Sequence, residues 1–307
     1  MSTTMQAVRV HQFGGSEAAI IDTVNRPEVG ADQVLIKIRA SSINPVDWKI
    51  RNGLMKQIPL PLVLGRDLAG DVIAVGVDVK VFKVGDAVYG NPGSTFAEYG
   101  LAKEGELGHK PKTLSYDQAA SVPVVALTAW RALFDSAKLK AGQRVLIHGA
   151  AGGVGNFGVQ FAKVFGAHVI GTASAANEAF VRESGADEFV DYRSTRFEDV
   201  VKAADVVFDT IGHDTLDRSY AVVKRGGVLV TVAGQPSPEK AAQYGIQALY
   251  AGASPSTATL NEIADLLDGG KVKIHISKVF PFSDVKQALA LNEEGHTRGK
   301  IALHISD

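Results

Sequence analysis

Over the first 110 residues, apolar positions come in short runs that stop at glycines. Residues 5–10, 33–40, 71–79 and 87–89 carry the alternation or β-branching of strands, with breaks at Gly76, Gly85 and Gly90. Helical periodicity is weak there, except over residues 46–53. After Pro111 the pattern changes. Helical stretches are predicted over 115–120 and, past Pro123, over 124–139. From Arg144 onward strands (144–149, 168–173, 188–192, 205–210, 227–233) alternate with helices (154–165, 177–184, 215–223). Such alternation specifies βαβ units, a parallel sheet and right-handed crossovers. Residues 245–252 are a candidate sixth strand at the sheet edge. A helix over 257–267, an extended stretch over 272–280, a helix over 283–294 and a strand over 300–305 complete the chain. The expected fold is α/β: a β-rich domain of residues 1–118 with 272–307, and a doubly wound parallel domain of 119–271.

Composition narrows the function classes. With 46% hydrophobic and 21% charged residues, the 307-residue chain is that of a folded globular protein. Its 32 basic and 33 acidic side chains nearly cancel, so charge gives no reason to expect nucleic acid or a membrane as partner. Cysteine is absent, which excludes disulfides, thiolate catalysis and cysteine-ligated metal, and fits a reducing compartment such as the cytoplasm. The uncharged stretches 145–162 and 241–261 are interrupted by glycine, proline and polar residues, so neither reads as a membrane span.

The sharpest local signal lies between residues 144 and 163. A strand runs into Gly149-Ala-Ala-Gly-Gly-Val-Gly155 and a helix follows at once. Gly152 allows a backbone to approach a pyrophosphate, and Gly155 allows the helix to pack against the strand. The helix-opening N–H groups of Gly153, Val154 and Gly155 then face the anion. This predicts dinucleotide binding. The next strand ends Gly171-Thr-Ala-Ser174 with no acid for the ribose hydroxyls, which favours NADPH over NADH. Ser174, Tyr192 and Arg193 are candidate partners of a 2′-phosphate; Glu178 argues the other way.

Several further motifs stand in order along the chain: Ser42-Ile-Asn-Pro-Val-Asp-Trp-Lys-Ile-Arg-Asn-Gly53, Leu64-Gly-Arg-Asp-Leu-Ala-Gly70, Val84-Gly-Asp-Ala-Val88, Ala126-Leu-Thr-Ala-Trp130 and Gly295-His-Thr-Arg-Gly-Lys-Ile-Ala-Leu303. Together with the glycine turn they resemble the zinc-free quinone oxidoreductase and enone (2-alkenal) reductase group of the medium-chain dehydrogenases/reductases. The resemblance implies a GroES-like, barrel-like catalytic domain built from both chain ends, and a Rossmann domain between them. It also implies an active site in the cleft, and a homodimer joined through the edge at 245–252. Asn44 stands at the zinc-ligating cysteine position of metal-dependent relatives and Arg66 at the histidine position; arginine has no lone pair to give.

Without a metal, the expected chemistry is hydride transfer to an acceptor that is already electrophilic, a quinone or an α,β-unsaturated carbonyl. By resemblance, Asn44 lies beside the nicotinamide. Lys49 polarises the acceptor or protonates the enolate; the alternative is a solvated lysine on a short helix. Trp48 stands where many relatives carry tyrosine. Thr128, Thr210, Val232, Ala233 and Lys300 are further expected cofactor contacts, the middle three because they follow strands at the crevice end. Asp47 and Asp67 are expected to pair with Arg51 or Arg66 and brace the loop. A non-catalytic NADPH-binding protein of the same fold is the alternative to an enzyme.

Overall fold

The computed structural model describes residues 3–55 and 58–307. They fall into two compact units, Met1–Val124 with Pro255–Asp307, and Val125–Ser254.

The first unit opens with β1 (Thr4–Val10), β2 (Ile20–Asn25) and the long β3 (Gln33–Ile43). After α1 (Pro45–Arg51) come β4 (Leu62–Val63), β5 (Leu68–Val75), β6 (Ala87–Gly90), β7 (Tyr99–Lys103), β8 (Leu107–His109) and α2 (Tyr116–Ala120). β1 pairs antiparallel with β2 on one side and β4 on the other. β3 is the spine of a larger sheet and pairs antiparallel with both β5 and β7. Covered on both faces, it shows nearly continuous burial rather than a clean alternation.

The second unit begins with most of α3 (Pro123–Trp130) and then alternates. Its elements are β9 (Arg144–His148), α4 (Gly153–Val164), β10 (His168–Ala173), α5 (Glu178–Glu183), β11 (Glu188–Asp191) and α6 (Phe197–Val200). β12 (Ala204–Asp209), α7 (His213–Ser219), β13 (Val223–Thr231), α8 (Pro238–Tyr244) and β14 (Gln247–Tyr250) follow. The sheet order is β11-β10-β9-β12-β13-β14, all parallel, the doubly wound arrangement that reverses direction between β9 and β12. β14 is the edge strand, as the sequence predicts. Leu146, Ile170, Val207 and Leu229 on four neighbouring strands form a core with Leu216 and Tyr220.

The chain then returns to the first unit through α9 (Thr257–Asp268), β15 (Ile276–Pro281), α10 (Val285–Glu294) and β16 (Lys300–His304). β16 pairs antiparallel with β3 and parallel with β15. Ile301 and Leu303 join Val8, Ile43 and Phe280 in a core closed by Val285 and Leu289 of α10.

Three expectations need correction, and one helix has no counterpart among them. The unit boundary falls at Val124/Val125 and Ser254/Pro255, not at 118/119 and 271/272. The reason is α9: Leu260 O accepts from Tyr89 Oη, Asn261 Oδ1 from the His109 N–H, and Asp268 from the Lys112 and Thr113 N–H groups. The helix expected over 124–139 changes at Trp130 into a π-helical turn, Arg131–Ser136. The strand expected over 71–79 lies earlier, because Gly76 and Asp78 turn back to bond Gln33 O and Ala31 O. Finally, α8 has a Ser237 cap and Pro238 at its start but too polar a sequence to show helical periodicity.

Close packing of α4 on the β9 turn sets a steric condition. A Cβ on Gly155 would lie 2.2 Å from Gly149 O, whereas one on Gly152 would come no nearer than 3.4 Å to that atom. Gly155→Ala should therefore cost about 1–3 kcal/mol of stability in thermal unfolding. Gly152→Ala should cost less than about 1 kcal/mol, the usual loss at an N-cap. Equal costs would refute the packing account.

Candidate active site

In the second unit, Gly149 turns the chain at φ +69° and its carbonyl accepts from the Gly152 N–H at 2.9 Å. Gly152 is the N-cap of α4, with no capping side chain and no acid in the first turn. The N–H groups of Gly153, Val154 and Gly155 lie in the first turn, where a helix has no internal acceptor to offer. Twelve residues of aligned peptide dipoles add partial positive charge at that end. Gly152, Gly153 and Val154 are partly exposed and Gly155 is buried, so an anion can reach the first three.

The polar side chains around this turn are already committed. Thr210 Oγ1 donates to His148 O at 2.7 Å. Asp209, with no exposed surface, accepts from the Ile211 and Gly212 N–H groups and from Thr231 Oγ1. His148 is buried between Thr172 Oγ1 and Ser219 Oγ, and burial pushes its imidazole down to about 4, so it is neutral at pH 7. The unspent donors are those of the helix start.

Thr210, Val232 and Ala233 follow β12 and β13, and Ser174 and Tyr192 follow β10 and β11, so all five share the carboxyl edge of the parallel sheet with the glycine turn. Ser174 Oγ accepts from Asn177 Nδ2 at 3.0 Å. Tyr192 is half exposed, with the Arg193 guanidinium 5.8 Å from its ring centre. Asp191, in register with Ala173, is an acid the sequence reasoning passed over. Its carboxyl is held below the usual range by the Arg193 N–H and the Ser194 hydroxyl. Thr128 is buried on α3.

In the first unit, Asn44 and Lys300, 256 positions apart, are brought together by the β3–β16 pairing. Lys300 Nζ donates to Asn44 Oδ1 and to Ile43 O, both at 2.7 Å. Asn44 Nδ2 donates to Asp67 Oδ2 at 2.7 Å, and Ser42 Oγ to the same oxygen at 2.7 Å. Asp67 Oδ1 accepts from the Val124 N–H at 2.7 Å, and Lys300 Nζ stands 3.9 Å from Oδ2. Loss of water pushes the Asp67 carboxyl up and the Lys300 ammonium down. With three hydrogen-bond donors on the carboxylate and two oxygen acceptors on the ammonium, the charged pair is the form this cage holds. Asn44 is thus clamped at both ends of its amide.

The expected Asp–Arg braces do not form. Arg51 is fully buried and pairs with Glu293, with Asn52 and Gly14 O as further partners. Asp67 takes Asn44 and Ser42 at the end of β3 and the Val124 N–H of α3 instead. Asp47 Oδ2 accepts from the Asn44 N–H at 2.7 Å and caps α1, while its buried Oδ1 has no hydrogen-bond partner. Lys49 is exposed on α1, its Nζ 5.5 Å from the Trp48 ring centre. The only sequence signal for the Asp67 cage is an acid directly before the apolar Leu68-Ala69; its partners are distant in sequence and gave none.

Among the described residues no group of three or more His, Cys, Asp or Glu can hold a metal ion. The chemistry at the two inherited positions does not fit zinc either: the Asn44 amide is spent on Lys300 and Asp67, and Arg66 is a cation.

Burial raises the Asp47 carboxyl from 3.8 to about 7. The folded state keeps a proton that the unfolded chain releases, so this contribution to stability is full below pH 4 and lost as pH rises through about 7. Asp47→Asn preserves the acceptor for Asn44 N–H. It should gain stability relative to the parent between pH 5 and pH 8; parallel stability curves in urea would contradict this.

Residues 30–122 match the alcohol dehydrogenase GroES-like domain, and residues 184–303 the zinc-binding dehydrogenase domain. A 2-methylene-furan-3-one reductase of Solanum lycopersicum is 37% identical over 98% of this chain and 79% of its own length. An NADPH-dependent alkenal/one oxidoreductase, chloroplastic, of Arabidopsis thaliana is 36% identical over 98% and 79%. The quinone oxidoreductase structure from Coxiella burnetii superposes with a TM-score of 0.92 at 35% identity, covering 98% of this chain and 99% of that one. Sequence likeness along nearly the whole length, on a doubly wound unit and a GroES-like unit, makes this chain a member of the medium-chain dehydrogenase/reductase family of oxidoreductases.

Proposed function

We propose that the chain is a zinc-independent, NADPH-dependent reductase of quinones or α,β-unsaturated carbonyl compounds. The observation that carries this reading is the uncapped start of α4, with its open Gly152 and unspent N–H groups, in a unit of doubly wound order. The names of relatives, among them an alkenal/one oxidoreductase and a quinone oxidoreductase, point to the same class of acceptor.

Gly152, Gly153, Val154 and Gly155 hold the diphosphate, and Thr210, Val232, Ala233 and Thr128 line the rest of the nucleotide site. Ser174, Tyr192 and Arg193 receive the 2′-phosphate. Asp191 does not oppose it, since its carboxylate is turned to its own loop. When bound, reduced nicotinamide supplies a hydride. The protein's share is to orient the acceptor and to manage the charge and the proton that follow. Asn44 and Lys300 are locked together in a buried cage, and Lys49, with an exposed ammonium in reach of water, is the proton-delivering candidate. β14 has no strand on its outer side among the described residues, and Tyr250 is half exposed; a homodimer joined there would cover both. No described helix is long and apolar enough to cross a membrane. A chain with no cysteine suits the cytoplasm.

The test is NADPH oxidation followed by absorbance with 1,4-benzoquinone, 9,10-phenanthrenequinone and a short alkenal. Turnover should persist in chelator and fall with NADH; tight NADPH binding without turnover would favour the non-catalytic alternative. Gly152→Val should weaken NADPH binding at least about tenfold, because a branched side chain fills diphosphate space. Unchanged affinity by titration calorimetry would contradict the placement. Lys49→Ala should lower kcat more than NADPH affinity, and a parental rate would remove Lys49 from the mechanism.

A further inference from the structure

Between β9 and α4 the chain crosses Gly149-Ala-Ala-Gly152, and none of these residues carries more than a methyl group. Such a turn has no polar side chain of its own to fix it, and glycine has the most conformational freedom to lose. The constraint comes from the residue before it. His148 ends β9 and is 1% exposed. Its carbonyl accepts from Thr210 Oγ1 at 2.7 Å. Its ring reaches Thr172 Oγ1 on β10 and Ser219 Oγ on α7, each at 3.1 Å, and packs edge-on against Phe197 with ring centres 4.5 Å apart. Thr172 holds the turn a second time, because its carbonyl accepts from the Ala150 N–H at 3.0 Å.

The hydrogen bonds settle which ring nitrogen carries the proton. Ser219 Oγ stands 2.6 Å from Thr215 O, a carbonyl that can only accept, so the single hydroxyl proton of Ser219 lies there. Ser219 Oγ therefore accepts from the ring, and Nε2 is the protonated nitrogen. Nδ1 keeps its lone pair and accepts from the Thr172 hydroxyl. A neutral imidazole has one donor and one acceptor, and burial keeps this ring neutral at pH 7. Both nitrogens are thus spent on elements other than β9, and the ring is a strut between β10 and α7 immediately before Gly149.

We propose that His148 is a positioning residue for the diphosphate seat: its Nε2–H imidazole, braced between Thr172 and Ser219, fixes the direction in which β9 enters the glycine turn and so aims the N–H groups of Gly153, Val154 and Gly155. The inference rests on the dinucleotide reading above and concerns the second unit alone. A seat made of backbone donors binds tightly only if those donors are held before the anion arrives, since ordering a loose turn on binding costs affinity. Glycine and alanine cannot supply that order, and the strut before them does.

His148→Leu keeps an apolar side chain against Phe197 and removes both ring bonds. His148→Gln keeps a donor for Ser219, and His148→Asn keeps an acceptor for Thr172. With folding checked by circular dichroism, His148→Leu should raise the NADPH Kd about tenfold in titration calorimetry, the weight of about one buried hydrogen bond. His148→Gln and His148→Asn should each recover part of the affinity. A role in stability alone would lower Tm and leave the Kd of the folded protein at the parental value. Two readouts need no ligand. Nitrogen NMR of the parent should show the Nε2–H tautomer of His148. Amide hydrogen exchange at Ala150, Gly152 and Asn156, whose N–H groups are bonded within the turn, should quicken at least about tenfold in His148→Leu. If that variant does not fold, Ser219→Ala and Thr172→Val, each removing one partner of the ring, should weaken NADPH binding and quicken the same amides. A parental Kd in the folded variants, an Nδ1–H tautomer or unchanged exchange would overturn the assignment. If the parent binds neither NADPH nor NADH, the dinucleotide reading fails, and the tautomer and the exchange rates still decide whether His148 sets the turn.

Discussion

Asp67 has no exposed surface, yet three parts of the first unit meet on its carboxylate: the end of β3 through Ser42 and Asn44, the chain entering α3 through the Val124 N–H, and β16 through Lys300. A buried carboxylate is costly to desolvate, and only a complete set of donors offsets that cost. The cage is therefore intolerant of partial loss. Removing one partner leaves a buried charge exposed to nothing, which typically costs about 3–5 kcal/mol. Its return is geometric. Asn44 is held at both ends of its amide, and α1, which carries Lys49 and Ile50, is launched from a fixed cap in a defined direction.

The second unit solves a different problem, that of leaving donors free in a closely packed place. Polar side chains near the carboxyl edge are spent internally: Asp209 closes its own turn, Thr210 ties β12 to β9, and His148 is neutral and sealed. What remains available is backbone, the opening N–H groups of α4. That helix can stand so close to its strand only because position 155 lacks a side chain. Backbone donors of this kind need no charged residue beside them to attract an anion.

The two units differ in how much of them the sequence discloses. Five parallel strands and the edge strand β14 were legible, since each is a short apolar run bounded by glycine or a helix. The antiparallel unit was less so. β2, β7 and β8 are short, half-polar and defined by pairing with β1, β3 and β6, so their identity lies in the partner strand. The expected Asp–Arg braces failed for a related reason. Charge complementarity between near neighbours predicts a pair, but Arg51 found Glu293 on the returning C-terminal segment and Asp67 found Asn44 just past the end of β3.

Sequence alone determined what depends on contacts within about twenty residues: the strand–turn–helix from Arg144 to Val164, the alternation that makes a parallel sheet and the absence of thiol ligands. Tertiary structure decided what depends on residues far apart in the chain. The Asn44–Lys300 bond follows from the β3–β16 pairing, and α9 joins the first unit through its bonds to Tyr89, His109 and Thr113. Local pattern is written in short-range sterics and periodicity, whereas the partner of a polar group is settled by which of many distant competitors the folded chain brings within three ångströms.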